Sequence, residues 1–313
     1  MKVLVTGGAG FIGSQVVDAL LEAGHRVAVV DNLATGIRGN LNPKATFYEM
    51  SILDGRLAEV FDRERPQIVN HHAAQISVTG SVADPAHDAQ ENILGSLNVI
   101  TNSVRSGVQK FVYASTGGAI YGEIPNPPAA EDHPVHPLSP YAVSKHAVEL
   151  YLDLYSVQHD LDYVILRYAN VYGPRQNPQG EAGVVSIFAT QMLKGERPTI
   201  FGEGDKTRDY VYVSDVVEAN ILAMGRGRMS IYNIGTGVET SDQEVFDTLA
   251  RALRYRGAPI YEPVRKGEVE RSCLDWTRAR EGLGWRPAVD FEQGISRAVG
   301  YYRSLSSQGG ISL

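Results

Sequence analysis

The sequence has little cysteine, no excess of basic residues and no long apolar run. Its one cysteine, Cys273, cannot form an intramolecular disulfide, which favours a reducing compartment. The 29 basic residues are outnumbered by 36 acidic ones, and the net charge of -7 argues against a nucleic-acid partner. No apolar run reaches the roughly 18 residues that cross a bilayer, and the first residues do not resemble a signal peptide. We therefore expect a cytoplasmic protein without a nucleic-acid or membrane partner.

The composition suits one large domain or two closely packed ones, because 43% of the 313 residues are hydrophobic. Apolar runs typical of strands alternate with helical patterns. Strands are predicted at 2–6, 26–31, 45–50, 67–73, 110–115 and 162–168, and helices at 11–23, 53–62, 86–104 and 139–159. Apolar strands are expected where helices cover both faces of a sheet, so the pattern predicts an α/β protein with a doubly wound parallel sheet, the Rossmann fold.

Glycines cluster between the first predicted strand and the first helix, in MKVLVTGGAGFIGS. Gly7, Gly10 and Gly13 have the spacing of a dinucleotide-binding loop, and the second strand ends at Asp31, roughly the expected distance onward. Such a loop brings a pyrophosphate to the helix amino terminus. Asp31 would bind the adenosine ribose, and because its charge repels a 2′-phosphate and Asn32 is not basic, NAD is favoured over NADP. The alternative is an ordinary glycine-rich turn.

The regular alternation ends near residue 170. We predict a cofactor-binding domain at 1–169 and a smaller carboxy-terminal α/β lobe for the substrate at 170–313, with some segments of the latter returning to the first domain.

Two side chains in SPYAVSKHAVEL indicate acid–base chemistry. Tyr141 and Lys145 are four residues apart in a predicted helix and so share a face. The strand end YASTGG supplies hydroxyls at Ser115 and Thr116, on the edge where ligands bind in such sheets. The alternative is a surface lysine that covers a tyrosine ring.

A tyrosine base requires nearby positive charge. The pKa of free tyrosine is about 10, and lowering it to about 7 requires roughly 4 kcal/mol. One cation about 6 Å away contributes roughly 3 kcal/mol at an effective dielectric constant near 20. Lys145 alone is therefore insufficient, whereas Lys145 together with a cationic nicotinamide ring suffices.

The sequence contains, in this order, the motifs TGGAGFIG, YAVSK, RYANVYGPRQ, FGEGDKTRDYVYVSD and YNIGTG. On these motifs the chain resembles the extended short-chain dehydrogenase/reductase family, and within it the enzymes that epimerise UDP-sugars. It covers nearly the whole chain. It implies an NAD-dependent isomerase that removes a sugar hydroxyl proton while hydride passes to NAD, and then returns the hydride to the other face of C4.

The resemblance also implies site residues. The catalytic triad falls on Thr116, Tyr141 and Lys145, with Ser115 as the alternative hydroxyl. The cofactor-binding residues would be Gly7, Gly10, Phe11, Ile12, Gly13, Asp31, Asn32, Ser51, Ile52, Ala73, Ala74, Gln75, Asn92, Tyr141, Lys145 and Tyr168. The substrate, a UDP-sugar, would contact Thr116, Gly117, Tyr141, Asn170, Arg208, Arg265 and Ser272. Arg208 and Arg265 would bind the diphosphate, for which guanidinium groups are well suited.

The loop after the triad hydroxyl favours epimerisation over elimination. Related dehydratases carry an Asp-Glu pair there and some decarboxylases a glutamate, whereas this chain has Gly117-Gly118-Ala119. Glu123 lies just beyond and is not expected to substitute. The alternatives are a nucleotide-sugar 4,6-dehydratase or decarboxylase, an NAD-sensing regulator, which would be expected to lose the Tyr–Lys pair, and a plain dehydrogenase.

Three further expectations concern specificity, metals and assembly. Ser272 matches a position where bulky residues exclude N-acetyl sugars in relatives, so a serine predicts that these sugars are accepted. The histidines lack a recognised metal-ligand spacing, and we predict no metal. The helix around Tyr141 is apolar on more than one face, which favours a homodimer through paired helices, although burial within one chain is the alternative.

Overall fold

The computed structural model describes residues 1–178, 183–264 and 269–307. The strands in these ranges are β1 (Lys2–Thr6), β2 (Arg26–Asp31), β3 (Thr46–Glu49), β4 (Ile68–His71), β5 (Lys110–Thr116), β6 (Asp162–Tyr168), β7 (Asn170–Tyr172), β8 (Thr199–Phe201), β9 (Thr207–Tyr212), β10 (Ser230–Ile234), β11 (Glu239–Ser241), β12 (Ile260–Glu262) and β13 (Arg271–Ser272). The helices are α1 (Phe11–Glu22), α2 (Leu57–Glu64), α3 (Val78–Ala83), α4 (Pro85–Ala89), α5 (Gly95–Arg105), α6 (Gly117–Ile120), α7 (Pro140–His159), α8 (Val184–Leu193), α9 (Val213–Gly225), α10 (Asp242–Leu253), α11 (Thr277–Leu283) and α12 (Phe291–Ser307).

The large sheet within the described ranges has seven parallel strands in the order β3-β2-β1-β4-β5-β6-β10. The chain winds outward from β1 to β3 in one direction and from β4 to β6 in the other. The change of direction between β1 and β4 leaves a crevice at the carboxyl ends of these strands, where ligands bind in such sheets. The predicted doubly wound parallel sheet is confirmed.

Helices cover both faces of this sheet. On one face, Val5 and Val112 pack with α1 and α9 through side chains such as Val16 and Ala219. On the other face, Leu4 and Phe111 pack with α2, α5 and α7. Because alternate residues of each strand enter different cores, the strands must be apolar throughout. This is why they appear in the sequence as continuous apolar runs.

Two predicted helices differ from the structure. The helix predicted at 53–62 begins at Leu57, because Asp54 accepts a hydrogen bond from the backbone NH of Arg56 (2.9 Å) in a preceding turn. The helix predicted at 86–104 is divided into α4 and α5 by one π-helical turn, Gln90–Leu94. That turn carries the buried Asn92.

The second lobe is built around β9. Strands β7 and β13 pair with β9 in parallel and β11 pairs with it antiparallel, while β8 pairs with β12. Side chains from α8, α10 and α12 form its core, with Phe188, Phe246 and Tyr302 among the larger ones. Strand β10 lies in the large sheet beside β6, although it follows residue 170. The domain division at residues 169 and 170 remains a prediction.

Helix α7 begins where the sequence predicts. Ser139 caps it by accepting a hydrogen bond from the backbone NH of Ala142 (3.2 Å), and Pro140 occupies the first turn, where its missing NH is not needed. Val148 and Leu152 are buried against the sheet. The cap therefore sets where Tyr141 lies, one residue into the helix at the crevice end of the sheet.

Candidate active site

The glycine-rich loop forms a concave cradle, and side chains at its glycine positions would fill this space. Gly7 has a left-handed backbone (φ 71°), and a Cβ atom there would lie 2.6 Å from the backbone nitrogen of Ala73. A Cβ at Gly13 would lie 2.2 Å from the carbonyl oxygen of Gly7. Among the described residues no side chain caps the amino terminus of α1. Its backbone NH groups therefore remain available to an anion, and the cradle fits the pyrophosphate of a dinucleotide.

Asp31 holds the glycine-rich loop as well as facing the crevice. Its carboxylate accepts hydrogen bonds from the backbone NH groups of Ala9 (3.0 Å) and Leu33 (2.8 Å). A carboxylate has about four acceptor sites, so it retains capacity for two ribose hydroxyls. The neighbouring Asn32 is exposed, and its side chain accepts a hydrogen bond from the backbone NH of Ala34 (3.0 Å). The contacts to Ala9 and Leu33 were not predicted from the sequence.

Two further groups of predicted cofactor residues follow the carboxyl ends of sheet strands, residues 51–52 after β3 and residues 73–75 after β4. Ser51 accepts a hydrogen bond from the backbone NH of Leu53 (3.1 Å), and the buried Ile52 packs against Gly95. The Asn92 side chain makes two hydrogen bonds to the main chain of Gln75. Its Oδ1 accepts from the backbone NH (2.8 Å), and its Nδ2 donates to the carbonyl oxygen (2.9 Å). Asn92 thus holds the segment that would line the cofactor.

Lys145 is almost fully buried beneath the crevice. Its Nζ donates a hydrogen bond to the carbonyl oxygen of Ala114 (2.9 Å) and lies 5.0 Å from the centre of the Tyr113 ring. Burial lowers the pKa of Lys145 to about 8, against the attraction of Asp88 and Glu149, which raises it. The pKa of Lys145 therefore lies closer to neutrality than that of an exposed lysine.

The two candidate hydroxyls of the triad lie in different surroundings. Ser115 is buried, and its Oγ donates a hydrogen bond to the Glu149 carboxylate (2.6 Å). Thr116 is partly exposed, ends β5 and is the register partner of Tyr168 at the end of β6. The hydroxyl of Ser115 is thus engaged below the crevice. This favours Thr116 as the triad hydroxyl, an assignment that remains a prediction.

A buried ion pair lies behind Ser115 and was missed in the sequence. The Arg167 guanidinium donates to both oxygens of Glu149 (3.0 and 2.6 Å) and to the phenol oxygen of Tyr121 (2.8 Å). Arg167 and Glu149 are each 3% exposed. An arginine inside the otherwise apolar run YVILRY was the available signal, since a charge is rarely buried unless it is paired.

Asp88 was also missed. Its side chain is completely buried between α4 and α7 and accepts hydrogen bonds from three neutral side chains. The donors are Ser144 Oγ (2.6 Å), Gln75 Nε2 (2.8 Å) and Asn92 Nδ2 (3.0 Å). An aspartate in the mostly polar segment DPAHDAQEN gives no sequence signal for burial, so only the packing of α4 reveals it.

The loop after Thr116 is closely surrounded. A Cβ at Gly117 would lie 2.5 Å from a methyl carbon of Leu274, and one at Gly118 would lie 3.2 Å from the side-chain oxygen of Asn170. The Glu123 carboxylate accepts a hydrogen bond from the backbone NH of Glu270 (2.9 Å). The contacts at Gly117 and Gly118 leave little space for a larger side chain in the loop. The contact with Glu270 holds the carboxylate of Glu123, the acid that follows the loop in sequence.

The second lobe brings together some of the predicted substrate residues. Arg208 on β9 and Ser272 on β13 are register partners; Arg208 is partly exposed and Ser272 is buried. Asn170 begins β7. Tyr168 is buried, with its hydroxyl bonded to Asn220 (2.8 Å) and its ring stacked on His72. Arg265 lies outside the described residues.

Comparison with known proteins assigns the chain to a family. Residues 3–235 match the model of the NAD dependent epimerase/dehydratase family. The chain belongs to this family. It is 46% identical over 312 residues to a UDP-glucose 4-epimerase of Mycolicibacterium smegmatis, covering 98% of the chain and 100% of the relative. The predictions of this family, of an epimerase-type isomerase and of NAD as cofactor are confirmed.

Solved structures of similar proteins have the same fold. A UDP-glucose 4-epimerase of Thermotoga maritima, solved with UDP-glucose, is 51% identical and superposes with a TM-score of 0.97 over 98% of this chain and 100% of that one. A UDP-glucose 4-epimerase of Thermus thermophilus in complex with NAD is 47% identical, with a TM-score of 0.93 over 97% and 99% of the two chains. Relatives named dTDP-glucose 4,6-dehydratase are more distant, for example at 36% identity in an Actinoplanes species.

Proposed function

We propose that the chain interconverts UDP-glucose and UDP-galactose by NAD-dependent epimerisation at C4. The observation that carries the proposal is the Tyr141–Lys145 pair at the crevice, next to a loop that lacks a catalytic acid. The Nζ of Lys145 donates a hydrogen bond to the carbonyl oxygen of Ala114. Glu123, the first acid in the sequence after this loop, accepts a hydrogen bond from the backbone NH of Glu270. The resemblance to UDP-glucose 4-epimerases over nearly the full length supports the same activity.

The residues of the site divide the reaction between them. Tyr141 accepts the proton of the sugar 4-hydroxyl and returns it after epimerisation, and Thr116 donates a hydrogen bond to the reacting oxygen. Lys145 stabilises the phenolate with its charge. NAD, which the glycine-rich loop and Asp31 would hold, would supply reversible hydride transfer at C4 of the sugar.

The substrate would extend from the crevice into the second lobe. Arg208 and Arg265 would bind the diphosphate, Asn170 would contact the substrate, and Ser272 would lie beside the sugar. The register pairing of β9 with β13 supports a common site for Arg208 and Ser272. Because serine is small, we expect N-acetyl sugars to be accepted as well. Dehydratase or decarboxylase activity is the second candidate, and the absence of an acid from Gly117-Gly118-Ala119 argues against it.

Product analysis on a panel of nucleotide sugars tests this function. With catalytic NAD, the purified protein is expected to convert UDP-glucose to UDP-galactose and UDP-N-acetylglucosamine to its 4-epimer, without a change of mass. Chromatography and mass spectrometry separate the outcomes. Loss of water or carbon dioxide would indicate a lyase, and stoichiometric accumulation of reduced cofactor a dehydrogenase. Turnover of UDP-galactose without turnover of UDP-N-acetylgalactosamine would contradict the expectation for Ser272.

A homodimer is proposed from an apolar stripe on the outer face of α7. Its members are Val143, Leu150, Leu154 and Val157, which are 43–81% exposed, and Leu94 beside them is 56% exposed. Exposed apolar stripes of this kind commonly mark interfaces, and a second copy would bury this one in a four-helix arrangement.

No helix among the described residues is long and apolar enough to cross a membrane. A cytoplasmic location, suggested by the single cysteine, is part of the same proposal.

Mass measurement in solution tests the dimer. The double variant Leu150→Glu/Val157→Glu is expected to shift the protein from dimer to monomer and to weaken association at least about 100-fold, because four charges would be buried across a symmetric interface. Val238→Glu, at an exposed valine of the second lobe, serves as the control. A dimer that survives the double variant, or a monomeric parent protein, would contradict the proposed interface.

A further inference from the structure

Lys145 occupies a site where burial opposes its charge. It is 4% exposed and makes one hydrogen bond to a backbone carbonyl, so few polar groups replace the water that it loses. The titratable groups that interact with it are Glu149 on α7, Asp88 on α4, His71 and His72 on β4, and Tyr113 on β5, and Tyr113 in turn interacts with Tyr141. Which of these groups are charged at neutral pH decides whether Lys145 remains protonated.

The two histidines and Tyr113 contribute no charge. Burial, together with repulsion by Lys145, lowers the pKa of His71 well below its usual value and that of His72 to about 3. Burial raises the pKa of Tyr113 well above its usual value. All three side chains are therefore neutral near pH 7. The counter-charge of Lys145 must come from Asp88 or Glu149.

Glu149 is already neutralised by another cation. Burial by itself raises its pKa, but hydrogen bonds from His146 and Arg167 outweigh burial and leave the pKa below its usual value. Arg167 binds both carboxylate oxygens in a bidentate contact. The Glu149–Arg167 pair has no net charge, so much of its field at Lys145 cancels.

Asp88 has no such cation. Neither of its oxygens forms a salt bridge with a side chain in the described ranges, and its three hydrogen-bond donors are neutral. Both amide donors have a fixed orientation, because Gln75 Oε1 accepts from the backbone NH of Ser77 and Asn92 Oδ1 accepts from the backbone NH of Gln75. Their NH₂ groups are therefore directed at Asp88. Two oriented NH₂ groups and the Ser144 hydroxyl thus surround the Asp88 side chain.

We propose that Asp88 is a positioning residue of the active site, whose carboxylate keeps Lys145 protonated and, through Ser144, holds the turn of α7 that carries Tyr141 and Lys145. The link is short, because Ser144 precedes Lys145 directly and its Oγ lies 2.6 Å from the carboxylate. The proposal rests on the proposed function only for its effect on turnover, since the charge of Lys145 can be measured without a substrate.

Neutralising Asp88 is expected to shift the alkaline side of the pH–rate profile. Without this carboxylate the pKa of Lys145 falls further, so Lys145 loses its proton, and Tyr141 its stabilising charge, at lower pH. In Asp88→Asn we expect the alkaline limb of kcat with UDP-galactose to move down by about one pH unit, which is about a tenfold loss at a fixed pH on that limb. At lower pH, where Lys145 remains protonated, the loss should be smaller. A purely structural role would lower kcat equally at every pH.

A direct measurement follows the charge of Lys145 itself. The chain has seven lysines, so the side-chain carbon signals of selectively labelled protein are few, and Lys145→Arg assigns the relevant one. In the NAD-bound protein without substrate, the titration midpoint of Lys145 is expected to be at least about one pH unit lower in Asp88→Asn than in the parent protein. Asp215→Asn removes a buried carboxylate that bonds to the main chain at Ala288 and Val289, and it should leave this midpoint unchanged.

The outcomes separate this proposal from the proposed function. If the parent protein epimerises UDP-sugars but Asp88→Asn leaves both the Lys145 midpoint and the alkaline limb unchanged, the role of Asp88 is wrong and the function stands. If no UDP-sugar is turned over but the midpoint shifts, the function is wrong and the role of Asp88 stands. Should Asp88→Asn not fold, Asp88→Ser is the second neutral variant, and the carboxyl carbon signal of the parent protein provides a test without substitution. A protonated Asp88 at neutral pH would overturn the proposal.

Discussion

Tyr141→Phe is expected to lower kcat for UDP-galactose by about 10²–10⁴-fold, the usual contribution of a positioned acid–base group. Phenylalanine keeps the ring and removes only the hydroxyl, so the 4-hydroxyl of the sugar loses its proton acceptor. Lys145 and the glycine-rich loop are unchanged, and NAD should remain bound. The measurement is steady-state kcat together with the NAD content of the purified variant.

The same helix provides a matched control. Tyr155 lies fourteen residues further along α7, and its hydroxyl is 3.3 Å from Thr101 Oγ1 on α5. Tyr155→Phe removes the same atom from the same helix and should leave kcat nearly unchanged. Normal turnover by Tyr141→Phe would falsify the assignment of the base. An equal loss in both variants would indicate damage to α7 instead.

Arg167→Met is expected to destabilise the protein by about 3–5 kcal/mol, because it leaves the Glu149 carboxylate buried and uncompensated. Methionine approximates the length of the side chain but cannot donate the two hydrogen bonds that Glu149 accepts from Arg167. Tyr121 loses a donor at the same time. The midpoint of urea unfolding, followed by circular dichroism, measures the effect.

Two further variants show whether the uncompensated charge is the cause. The double variant Glu149→Gln/Arg167→Met removes both charges and should recover much of the lost stability, since neutral groups cost less to bury. Arg105→Met breaks an exposed ion pair with Asp62 and should cost less than about 1 kcal/mol. If the single and double variants are equally unstable, lost packing rather than unpaired charge explains the result.

The Arg167 and Asp88 variants test two distinct roles for buried charge around one lysine. The Glu149–Arg167 pair lies behind β5 and bonds to Ser115, so its loss should mainly weaken the fold. Asp88 contacts the residue next to Lys145, so its loss should mainly change the pH range of catalysis. Stability and pH profile are therefore expected to change separately in the two sets of variants.

Much of the site could be predicted from local sequence. The glycine-rich loop, the strand that ends at Asp31 and the capped helix with Tyr141 and Lys145 each depend on residues close together in the chain. Their backbone requirements are local: positive φ at Gly7 and an amino-terminal cap at Ser139. The order of strands and helices also indicates the parallel sheet, because both faces of such a sheet must be apolar.

Only the tertiary structure decided which charges meet. Asp88 lies 57 residues from Lys145 in sequence, and Arg167 lies 18 residues beyond Glu149, so no local pattern indicates that these groups share one interior. The direction in which Ser115 points, and hence the preference for Thr116, likewise depends on a partner in another element. The sequence by itself therefore determined the fold, the glycine-rich loop and the helix that carries Tyr141 and Lys145, whereas the pKa of Lys145 depends on burial and on the carboxylates that folding brings beside it.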